Sequence, residues 1–151
     1  MSIAFVLLAA NAVASVPMGQ VLIQECWQGH SHIEMSACLA TKAAAARSAL
    51  AGAEQGVSEA LAKHGKPAWA ALYKSTAQSY QQYRTQQCQL QAALASAGNG
   101  ATDIRTACEA TLDTLRSEQL KAARLAGARS LTTHSSGRSS ATRLRAAKFR
   151  R

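Results

Sequence analysis

Four cysteines, Cys26, Cys38, Cys88 and Cys108, constrain this chain more than any other feature. The first two bracket the stretch CWQGHSHIEMSAC, which also carries two histidines and a glutamate. Such a segment either holds a metal through thiolates or closes a covalent loop. The first needs a reducing compartment and the second an oxidising one. The rest of the sequence has to choose.

The N-terminus, MSIAFVLLAANAVA, is an apolar run from Ile3 to Ala10 followed by Ala12-Val13-Ala14. An apolar run ending in a small-residue triplet reads as a secretory signal over residues 1–14, cut after Ala14. It is shorter than the roughly 20 apolar residues of a membrane span, so no transmembrane segment is expected. The residues before Cys26 are LIQE, which is no lipobox. The expectation is a periplasmic or secreted protein with residues 15–25 as a linker. Four cysteines in a small exported chain make two disulfides. The spacing C-x3-H-x-H-x5-C also lacks the two tight ligand pairs of a structural zinc site. Disulfides are expected, with no metal and no cofactor, and with His30 and His32 as exposed loop residues.

Between Glu34 and Gly65 the chain is alanine-rich, and only Gly52 and Gly56 argue against a helix. Gly65 supplies a stop, and Pro67 suits the first turn of a second helix. There Trp69, Leu72, Tyr73, Thr76, Tyr80, Tyr83, Leu90 and Leu94 recur at spacings of three and four, a stripe expected to face the core. The stretch SAGNGAT breaks this helix. A third starts near Asp103 with Thr102 as its N-cap and Ile104, Cys108, Leu112, Leu115 and Leu120 on one side. No strand-like alternation or phosphate-cradling glycine loop is present. The sequence predicts an all-α fold, a small antiparallel three-helix domain over residues 26–121, stapled because its core is thin in large side chains.

Cys88 lies about six residues before the end of the second helix, and Cys108 about six after the start of the third. At about 1.5 Å per residue both sulfurs stand about 9 Å from the connecting loop, level with each other in a helical hairpin. The predicted bridges are therefore Cys88–Cys108 and, by remainder, Cys26–Cys38.

Net charge is +9, but residues 1–120 are neutral in sum, with eight Lys/Arg and all eight Asp/Glu. The stretch from Lys121 to Arg151 carries nine basic residues and no acidic one. Rich in Ser, Thr and Gly and poor in large apolar side chains, residues 122–151 read as a disordered basic tail. Such an arm suits anionic envelope polymers or lipid head groups. With Phe149 its only aromatic, base stacking and specific nucleic-acid binding are not expected.

CWQGHSHIEMSAC, AQSYQQYRTQQC and CEATLDTLRSEQL together resemble the lysozyme-inhibitor LprI-like family of exported bacterial helical domains. The matching residues are Cys26, Glu34, Met35, Cys38, Gln78, Tyr83, Arg84, Cys88, Gly98, Gly100, Cys108, Leu112, Arg116 and Leu120. The first helix departs from the pattern, with Arg47, Ala51 and Glu54 where the family has Asp, Asn and Tyr. Tyr80 and Thr85 likewise replace a Trp and an Asp. The resemblance implies a binding protein, not an enzyme, whose partner is lysozyme or another envelope protein. The alternative is a non-inhibitory envelope module held to polyanions by the basic tail. The acidic residues read as scattered surface charges, and no Ser/His/Asp set falls on one site. Glu34, Arg84 and Arg116 are the candidate binding residues. The simpler role for the two arginines is pairing with a surface carboxylate such as Glu118 or Glu34.

Overall fold

A computed structural model describes residues 17–29, 31–63, 67–95 and 100–147, with side chains described as far as Leu125. The proposed signal segment, His30, Gly65, Gly98 and Phe149 lie outside the described residues. The elements among the described residues are all helices: α1 Gln20–Trp27, α2 His32–Lys63, α3 Pro67–Ala95 and α4 Ala101–Ala147.

Four helices stand where three were expected. The additional one, α1, occupies the stretch read as a linker. Gly19 starts it from a left-handed backbone (φ 89°), with the Gln20 amide donating to the Pro17 carbonyl at 3.1 Å. Gly19 is also buried against α4. A Cβ there would lie 2.7 Å from the backbone of Ala107 and Cys108, so only glycine fits on both counts. The Gln91 side chain donates to the Met18 carbonyl at 2.7 Å and holds the same turn to α3.

Helix α2 opens with a capping box. The Ser31 amide donates to the Glu34 carboxylate at 2.8 Å, and the Glu34 amide donates back to Ser31 Oγ at 3.4 Å. Pro67 is the first residue of α3, where its missing N–H costs nothing. Helix α4 begins at Ala101, one residue before the expected cap, and the Ile104 amide donates to the Gly100 carbonyl at 3.0 Å.

Ser36 meets Asp103 and Ser117 meets the Ala49 carbonyl, so α2 and α4 run parallel. Their facing lines are Leu39, Ala43, Ala46 and Leu50 against Ala107, Ala110, Ser117 and Leu120, all buried. Small residues at spacings of three and four let the two backbones approach closely. Helix α3 runs antiparallel to both, mainly along α4. The disulfides are Cys26–Cys38 and Cys88–Cys108, with Cα separations of 5.7 and 5.5 Å, the second as the level-sulfur argument predicts and the first as its remainder.

Of the apolar stripe of α3, only Tyr73 and Tyr80 turn toward the core. Trp69, Leu72, Tyr83, Leu90 and Leu94 are all more than half exposed. Cys88 and Ala92 are buried instead, with Tyr73, Tyr80 and Arg84 half-buried beside them. At about 100° per residue, the exposed members of the stripe sit more than a quarter turn from Cys88. The bridge to Cys108 fixes the rotation of α3, and that covalent constraint overrides hydrophobic periodicity. Leu115, also expected inside, is 44% exposed.

Helix α4 continues to Ala147, through the stretch expected to be disordered. That stretch contains no proline, and Gly127 and Gly137 are its only glycines. Among the described residues no helix is long and apolar enough to cross a membrane.

Candidate functional site

Two polar constellations stand out, one on each half of the bundle. The first lies where α3 crosses α4. Arg84 donates through Nη1 to Asp113 Oδ2 at 2.7 Å, and the Asp113 side chain is only 2% exposed. The Tyr80 hydroxyl donates to Asp113 Oδ1 at 3.4 Å, and the Arg116 guanidinium stacks 5.4 Å from the Tyr80 ring centre. Tyr73 reaches across to the Glu54 carbonyl at 3.4 Å.

Arg84 and Arg116 thus do come together, but around Asp113 and Tyr80 and not around Glu118 or Glu34. Burial opposes the Arg84 charge, yet the Asp113 hydrogen bond and charge outweigh it and hold the guanidinium above its ordinary pKa. Burial first, then the Asp113 carboxylate, pushes the Tyr80 phenol above its ordinary range. Glu54 is also raised, by burial, with the Arg116 charge partly offsetting it. The Nε atoms of Arg84 and Arg116 are buried without a hydrogen-bond partner in the fold. The cluster is inward-facing and charge-matched at its centre, so its chemistry is that of a structural lock.

The second constellation lies at the other end, under the opening loop. Asp103 accepts from Ser36 Oγ at 2.9 Å and meets His32 Nε2 at 2.8 Å. This is a Ser/His/Asp set that sequence reasoning did not find. It cannot act as a nucleophilic triad, because the carboxylate and not the imidazole receives the serine hydroxyl. A serine needs the imidazole as its base. The three residues instead tie the start of α2 to the start of α4.

Glu34 sits at this same end, far from the two arginines, and is engaged in the capping box. The loop it caps is closed by Cys26–Cys38 and turned by Gly29 (φ 83°). The loop displays Trp27, 50% exposed, and Ile33, 80% exposed. With both cysteines bonded, the thiolate alternative for this stretch is gone. Among the described residues no three His, Cys, Asp or Glu gather in a way that could hold a metal ion.

The residues missed by sequence reasoning are Asp103 and Asp113. Both carry a visible signal: they fall on the line Asp103, Ala107, Ala110, Asp113, Ser117, Leu120, whose spacings of four and three make it the buried face of α4. An acid on an otherwise small and apolar line requires a buried partner.

The family model for lysozyme inhibitor LprI matches residues 25–120. No curated protein and no solved structure matches the chain. The matched span begins one residue before Cys26 and ends at Leu120, the last buried residue of α4 among those described, so it takes in α2, α3, both bridges and both polar constellations. On that match, over well more than half its length, this chain belongs to the lysozyme inhibitor LprI family.

Proposed function

We propose that this protein is an exported, non-catalytic binding domain that inhibits lysozyme or another envelope enzyme. The observation that carries the reading is the family match over residues 25–120, which contains α2, α3 and both bridges. Two bridges in so small a domain fit an oxidising compartment. The arrangement of polar groups supports binding over catalysis: Arg84 is held by the buried Asp113 carboxylate, Arg116 lies against the Tyr80 ring, and the Ser/His/Asp set is wired through the acid. The test is titration of the oxidised protein into a lysozyme assay on cell-wall substrate. Saturable inhibition at near-stoichiometric protein is expected. Undiminished activity at a large molar excess would refute the reading.

A second reading has its own observation. From Lys121 onward the chain holds nine basic residues and no acidic one, beyond the last described buried position, Leu120. An envelope module attached to polyanions by this stretch predicts binding that collapses as salt rises. Inhibition by the helical body predicts binding that survives in its absence.

A further inference from the structure

The inhibitory reading leaves open which surface meets the enzyme. Resting on that reading, we infer that the disulfide-closed loop between Cys26 and Cys38 is the contact surface, with Trp27 and Ile33 entering the glycan-binding cleft of a lysozyme.

The loop is tethered at more points than its packing requires. Cys26–Cys38 closes it, the Ser31–Glu34 capping box fixes its return into α2, and His32 and Ser36 both bind Asp103 of α4. Yet its largest side chains contribute little to the core. Trp27 is half exposed and Ile33 four-fifths exposed, while Cys26, Met35 and Leu39 beneath them are buried. A rigid base carrying two exposed apolar side chains is the form of an interface anchor, since rigid aromatics carry binding energy at little entropic cost.

Charge selects the partner. From Trp27 to Ile33 the loop contains no Asp or Glu. It can therefore enter a cleft lined by the two carboxylates of a glycoside hydrolase without repulsion. Around its base stand Glu25, Glu34, Asp103 and Glu109, against Lys42 and Arg105, so acidic side chains outnumber Lys and Arg there by four to two. Because α2 and α4 run parallel, α4 leads away from the loop end, and the basic stretch begins on it at Lys121. A basic enzyme is thus attracted to the loop end and repelled by the other, which orients the encounter. The exposed stripe on α3 runs along the side of the bundle, from Trp69 at the far end to Leu94 at the loop end.

The experiment compares the full oxidised chain with Trp27→Ala, Ile33→Ser and, on α3, Leu72→Ser/Leu90→Ser. Non-reducing peptide maps and thermal melts verify that each variant folds; Ile33, being so exposed, makes the least demand on the fold. Inhibition is measured against lysozyme at several substrate concentrations, and binding with and without a soluble chito-oligosaccharide. The expected result is competitive inhibition, binding blocked by the oligosaccharide, and a loss of about thirtyfold for Trp27→Ala, as for an anchor residue. Ile33→Ser should weaken inhibition in the same direction, and the α3 pair should leave it unchanged. Wild-type inhibition by both loop variants, loss confined to the α3 pair, or inhibition indifferent to the oligosaccharide overturns the loop assignment while inhibition itself stands. Absence of any lysozyme binding by the unmutated chain overturns the inhibitory reading and this inference together.

Discussion

Arg84 and Asp113 show how much a single buried ion pair decides here. With the Asp113 side chain 2% exposed, Asp113→Ala leaves the Arg84 charge buried without its partner. The expected cost is about 3 to 5 kcal/mol by denaturant unfolding, whereas the paired replacement Arg84→Met/Asp113→Leu should cost far less. Glu54 gives a pH signature of opposite sign to an ordinary paired carboxylate. Burial raises its pKa in the folded state, so the folded protein holds the proton more tightly than the unfolded chain. Its contribution to stability therefore falls as pH rises through and just above the ordinary carboxylate range. Relative to wild type, Glu54→Gln should melt higher at pH 7 than at pH 4, by a small margin because the site is only partly buried. Arg84 and Arg116 were legible in the sequence as a pair worth watching. Their partner was not, because Asp113 lies 29 residues from Arg84 and only the folded hairpin brings them together.

At the level of elements, the turn at Gly19 is as specific as any side chain. Gly19→Ala combines a left-handed backbone with a Cβ 2.7 Å from α4, so α1 must lift off or α4 must shift. A loss of about 1 to 3 kcal/mol from the backbone strain alone is expected, visible as a lower melting temperature. Cys88→Ser/Cys108→Ser should cost on the order of 3 kcal/mol by freeing the unfolded chain, and α3 should loosen most because that bridge sets its rotation. The two bridges, the helices α2 and α3, and the Pro67 start could be read from alanine content, turn residues and rise per residue. Helix α1 could not, because QVLIQECW is short and its start depends on a glycine seated against a distant helix. The inward face of α3 was hidden for a related reason: periodicity names an apolar stripe, but a crosslink chose which side turned inward.

For the whole molecule, truncation after Leu125 should leave the body folded, since Leu120 is the last buried residue among those described. Association with a basic lysozyme should be as fast or faster once seven of the nine basic residues are gone, and its salt dependence should change accordingly; stopped-flow kinetics across a salt series measures both. Retention of any polyanion binding by the truncated form would place that activity in the body. The charge asymmetry itself was plain in the sequence, although the direction in which it points required the parallel course of α2 and α4. Both disulfides, the Gly19 seat and the Asp103 ties lie where α2 and α4 begin, while the end where α2 finishes and α3 starts has no crosslink. Breathing motions are consequently one-ended. Amide hydrogens in the last turns of α2 and the first of α3 should exchange through small local openings, and those flanking Cys88 and Cys108 only through global unfolding. The molecule frays like a rope whipped at one end, and the whipped end is the one that carries the Cys26–Cys38 loop.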